Sequence, residues 1–128
     1  MPHIIVEHSQ PPPMDMSELV KALHDAAADI DGLPLGGLRT RVLPAGHARV
    51  ADAGEDNAFV YVTVRIGAGR DDAKKREIGD KLFAQLRYHA RDRFEAERPT
   101  SLGLEVQEIA PGTTWKHNNI HDILKARA

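Results

Sequence analysis

With 128 residues, of which 41% are apolar and 28% charged, the chain can build one hydrophobic core of ordinary size, and its balance is that of neither a disordered tail nor a membrane protein. A formal net charge of −2 and an aromatic content of 5% exclude both a basic field and a stacking platform for nucleic acid. The absence of cysteine excludes a disulfide framework, a thiolate nucleophile and a thiolate-bound metal together. The start, Met1-Pro2-His3-Ile4-Ile5-Val6-Glu7, has no basic leader, and no stretch approaches the roughly 18 apolar residues of a membrane span, so a cytoplasmic location without membrane contact is expected.

In chain order, His3 to His8 reads as a short strand that stops at Ser9-Gln10-Pro11-Pro12-Pro13. Leu19, Val20, Leu23, Ala26, Ala27 and Ile30 recur at helical spacing, predicting a helix over 16–30, capped by Asp15 or Ser17 and ended by Gly32. A second strand follows over 38–43, its alternation setting Leu38 and Val42 on one face and Arg39 and Arg41 on the other. Residues 44–57 read as loop, with a brief strand at 48–51. Ala58 to Ile66 is apolar on nearly both faces, as a central strand covered on two sides would be. A long helix over 71–97 carries Ile78, Leu82, Phe83, Leu86 and Phe94 on its inner stripe, and Pro99 ends it. Leu102 to Ile109 alternates as a last strand, and the tail over 111–128 holds one short helix. Strand, helix, strand thus occurs twice, in halves of 1–57 and 58–128. The fold expected is one α/β (α+β) domain over 1–128, a four-stranded sheet with two helices on one face. The other sheet face then needs cover, which oligomerisation would provide.

Chemistry centres on the first residues. Loss of Met1 turns the Pro2 nitrogen from an amide into a secondary amine, a group that titrates near ~8 when unperturbed and lower beside cations or when buried. Such a nitrogen suits a general base at neutral pH. Arg39 and Arg41 share a strand face, and Arg70 follows Gly67-Ala68-Gly69 at the end of a strand. Each offers a planar fork for a carboxylate. The bland alternatives are a processed start with no further role and arginines paired with surface acids. Asp72 stands where a dinucleotide fingerprint needs its third glycine, which excludes that motif. His117 and His121 are four apart, but Asn118 and Asn119 lie between them where a zinc-protease pattern has glutamate, so no metal site is expected.

The stretches Met1–Glu7, Pro34-Leu35-Gly36-Gly37-Leu38-Arg39-Thr40-Arg41-Val42, Ala58-Phe59-Val60, Ile66-Gly67-Ala68-Gly69-Arg70 and Lys116-His117-Asn118-Asn119-Ile120-His121 span nearly the whole chain. In order and spacing they resemble the 5-carboxymethyl-2-hydroxymuconate isomerase family of the tautomerase superfamily. The departures, Pro11-Pro12-Pro13 and His8, touch no motif. The resemblance implies a cofactor-free homotrimer acting in homoprotocatechuate (4-hydroxyphenylacetate) catabolism, with catalytic Pro2, Arg39 and Arg70. It implies that Arg39, Arg41 and Arg70 bind a di- or tricarboxylate substrate. In that reading Pro2 takes the proton of the 2-hydroxyl group of 5-carboxymethyl-2-hydroxymuconate and returns one at C5, giving the 2-oxo-3-ene isomer. Two other readings stay open: a different superfamily reaction (phenylpyruvate-type tautomerisation, dehalogenation or decarboxylation), and a non-catalytic carboxylate-binding trimer.

Overall fold

The computed structural model describes every residue from Met1 to Ala128. Strand β1 (His3–His8) is followed by helix α1 (Met16–Ala28), a 3-10 turn (Leu35–Gly37) and β2 (Arg39–Pro44). Then come β3 (Ala58–Gly67), α2 (Asp72–His89), the short α3 (Arg91–Glu95), β4 (Thr100–Ile109) and α4 (Ile120–Arg127). The sheet order is β2-β1-β3-β4. β1 and β2 run parallel, as do β3 and β4, and β1 meets β3 antiparallel. Each half is therefore a βαβ unit, and the two are joined back to back through β1 and β3.

The pleat decides what each strand does. Ile4 and Val6 of β1 and Val60, Val62, Val64 and Ile66 of β3 are fully buried against Leu19 and Leu23 of α1 and Ile78, Leu82 and Leu86 of α2. Alternate residues point the other way, where no element of the chain covers them: Glu7, Tyr61 and Arg65 are exposed, and Ile5 and Thr63 are half-buried. On that face the Tyr61 ring lies so close over Gly103 that a Cβ there would collide with it, and the phenol donates to the Glu105 carboxylate. The expectation of a central strand covered on both sides is thus met on one side only in the single chain.

The helix ends follow local chemistry. The Asp15 carboxylate accepts from the Glu18 N–H at 3.1 Å and that of Asp71 accepts from Lys74 N–H at 2.8 Å, each capping a helix start. Gly32, at φ +90°, takes the left-handed conformation that reverses the chain after α1. Three expectations need correction. No strand forms at 48–51. β4 begins two residues earlier than predicted. The helix predicted over 71–97 breaks at Ala90, and Phe94 is 51% exposed instead of facing the core. Its place on the inner stripe is taken by Ala90 and Arg93: the Arg93 guanidinium donates to the carbonyls of Asp56 and Pro99 and to the Thr100 hydroxyl. His117 precedes α4 and His121 lies within it, so the two share no helix face.

Candidate active site

The antiparallel pairing of β1 with β3 brings the start of β1 and the end of β3 to one end of the sheet. Parallel pairing adds the start of β2 and the end of β4. Four connections consequently meet there: the N-terminus, the turn before β2, the loop carrying Arg70, and the tail after β4.

Pro2 is fully buried, and its carbonyl accepts the Arg39 N–H at 3.1 Å, which fixes the start of β1 against β2. Met1 rests on Gly37: a Cβ there would stand 3.2 Å from Met1 Cγ and 3.5 Å from Pro2 Cδ. Gly37 therefore leaves a space beside the Pro2 ring that the Met1 residue fills. Arg39 donates to the Gly37 carbonyl at 2.8 Å, and Arg70 donates to the Gly67 and Gly32 carbonyls at 3.0 and 2.6 Å. These bonds use part of each guanidinium and hold the fork, leaving other N–H groups for an anion. No acidic side chain pairs with either arginine.

The Met1 amine, one residue before Pro2, reports the field of this cluster. Its pKa is lowered below the usual value near 8.0 by burial first, then by Lys116, Arg70 and Arg39. Of the residues singled out from the sequence, Pro2, Arg39 and Arg70 are thus brought together. Arg41 lies one step along the open sheet face, its guanidinium 3.1 Å from Nδ1 of His3. The pKa of His3 is lowered by burial and then by Arg41, Arg39, the amine and Arg65. Lys116 was missed as a neighbour of the amine, although its stretch carries part of the resemblance. Its position depends on the tail folding back over eighty residues of chain, which no local pattern encodes. No three or more histidine or acidic side chains gather to hold a metal ion.

The family model of 5-carboxymethyl-2-hydroxymuconate isomerase matches residues 2–124. The chain belongs to that family. It is 33% identical over 127 residues to the 5-carboxymethyl-2-hydroxymuconate Δ-isomerase of Escherichia coli, covering 98% of this chain and all of that one. The crystal structure of a 5-carboxymethyl-2-hydroxymuconate isomerase from Deinococcus radiodurans R1 superposes with a TM-score of 0.87 at 38% identity, over 96% of this chain and 93% of the other. A fused 4-OT protein described as a symmetric trimer matches with a TM-score of 0.54 at 25% identity, over 88% of this chain and 94% of the other. The α+β fold is that of the tautomerases. No helix of this family member is long and apolar enough to cross a membrane.

Proposed function

We propose that the chain is a 5-carboxymethyl-2-hydroxymuconate Δ-isomerase, an intramolecular proton-transfer enzyme whose base is the Pro2 nitrogen after removal of Met1. The observation that carries this reading is a chain start set among Arg39 and Arg70, where protonation of an amine is disfavoured by burial and by positive neighbours. A neutral Pro2 amine accepts the proton of the 2-hydroxyl group. Negative charge then spreads over the dienolate, and the ammonium returns a proton at C5. The C2=C3 and C4=C5 double bonds become C2=O and C3=C4, and no atom is gained or lost. Arg39 and Arg70 bind carboxylates and stabilise the dienolate oxygen, the largest contribution in reactions of this kind. Arg41, on the open sheet face, binds substrate from farther out.

The active form is a cytoplasmic homotrimer of 1–128 units, each made of two βαβ halves. Support comes from the uncovered sheet face and from the symmetric trimer of the fused relative. Stacking three such faces would bury them and bring a neighbour to the rim of each site.

The test uses two preparations defined by mass spectrometry, one beginning at Pro2 and one retaining Met1, assayed by ultraviolet absorbance on the dienol. With Met1 attached, the Pro2 nitrogen is an amide without a basic lone pair. Its turnover should be lower by at least the ~10²-fold worth of a positioned base. Equal rates would overturn the reading. A panel of phenylpyruvate, haloacrylate and β-keto acid substrates, run alongside, separates the isomerase from the other superfamily reactions.

A further inference from the structure

The tail beyond β4 is fastened to the turn that faces Met1. Asn118 Nδ2 donates to the Gly36 carbonyl at 3.1 Å, while its Oδ1 accepts the Ile120 N–H at 2.7 Å at the start of α4. One amide side chain thus ties the helix to the 3-10 turn. The His121 ring then covers Gly36 so closely that no Cβ would fit between them. These fastenings fix the backbone two residues after Lys116, next to the turn that sets Gly37 against Met1, and the Lys116 charge disfavours protonation of the Met1 amine.

Lys21, Lys74, Lys75 and Lys81 each pair with a carboxylate, and Lys116 pairs with none. Together with Arg70 and Arg39 it disfavours protonation of the Met1 amine, and none of the three is paired with an acid, so the cluster suits an anion. The charge of the proposed substrate supplies the anions. 5-Carboxymethyl-2-hydroxymuconate bears three carboxylates, whereas only Arg39 and Arg70 of the three arginines lie beside the amine, Arg41 standing farther out with its guanidinium against His3.

We infer that Lys116 is a further substrate-binding residue, which takes the third carboxylate of a tricarboxylate dienol and makes the tail over 111–128 the wall that distinguishes tricarboxylates from dicarboxylates. The inference rests on the isomerase reading of the same site. When Met1 leaves, the space it held beside Pro2 and Gly37 opens next to the turn to which the tail is fastened, so a ligand seated against the Pro2 nitrogen lies in the field of this ammonium.

The experiment compares the Met1-free wild type with Lys116→Met and Lys116→Arg on two dienols, 5-carboxymethyl-2-hydroxymuconate and 2-hydroxymuconate, which lacks the third carboxylate. Lys116 is exposed, so neither substitution removes core packing. Measured on the pH plateau above the acid limb, Lys116→Met should raise the ratio of KM for the tricarboxylate to KM for 2-hydroxymuconate about 10–100-fold, the worth of one charged hydrogen bond. Lys116→Arg should restore most of the loss. Equal effects on the two acids, or none on either, would overturn the inference. Binding has a separate readout, because Trp115 is the only tryptophan and is 88% exposed beside Lys116. Should the wild type turn over neither acid, the isomerase reading fails. Quenching of Trp115 by the same dienols then still decides for Lys116: a weakened tricarboxylate with an unchanged dicarboxylate supports it, and any other pattern rejects it.

Discussion

At Gly37 the missing side chain matters more than any that could replace it. An alanine there sets its methyl 3.5 Å from Pro2 Cδ, an ordinary contact, but occupies the space now filled by Met1. Gly37→Ala should therefore leave the melting temperature nearly unchanged and lower kcat/KM by about 10-fold or more through a raised KM, as expected for a blocked site. Arg39→Ala and Arg70→Ala should each cost about 10²–10³ in kcat/KM, the range for losing one charge-stabilising donor in an acyl or enolate site. The acid limb of kcat/KM against pH carries a sign as well. The cations that disfavour protonation of the Met1 amine, at the chain start, are Lys116, Arg70 and Arg39. The limb should lie below the ordinary amine value of 8.0, and Lys116→Met should move it upward. A downward or absent displacement would mean that this ammonium does not face the Pro2 nitrogen.

Helix α2 shows how packing and charge divide the work of one element. Its buried stripe, Ile78, Leu82 and Leu86, continues through Ala90 to Arg93. Leu82→Ala should cost about 2–5 kcal/mol by chemical denaturation, since the cavity it leaves is walled by the sheet. On its outer face Glu77 sits between Lys74 at 2.7 Å and Lys81 at 2.8 Å, and its pKa falls from 4.5 to about 2. The folded value is below the unfolded one, so the contribution is complete above 4.5 and is lost as pH falls towards 2. A small gap in melting temperature between wild type and Glu77→Gln should close over that window, and 1 M salt should shrink it at neutral pH. The elements were largely legible in the sequence, because β1 and β3 alternate cleanly and α1 carries both its stripe and its Asp15 cap. The end of α2 was not. Hydrophobicity favours Phe94 as the inward residue, whereas the fold buries Arg93, whose five donors satisfy carbonyls contributed by Asp56 and Pro99. Those partners are fixed only by tertiary structure. The cluster around Pro2 was legible as far as its arginines, which lie in compact motifs. Lys116 was not, because proximity across the sheet end depends on how Asn118 and His121 fasten to Gly36.

For the molecule as a whole, the uncovered sheet face makes assembly the next testable property. Sedimentation should find a particle three times the 14.1 kDa chain. Ile5→Asp, on that face and away from the amine, should dissociate it and lower activity in parallel. A monomer with full activity would refute the trimer. The meeting of both chain ends also has a consequence for biosynthesis. Pro2 is buried in the sheet and Met1 lies half-buried against Gly37, so a peptidase that must grip an extended start would act most readily before this end of the sheet closes. On the proposed mechanism, excision would then belong to synthesis, while the last residues are still unmade or inside the ribosomal exit tunnel. Protein refolded from a methionine-bearing pool would remain trapped in its inert form, however well it folds.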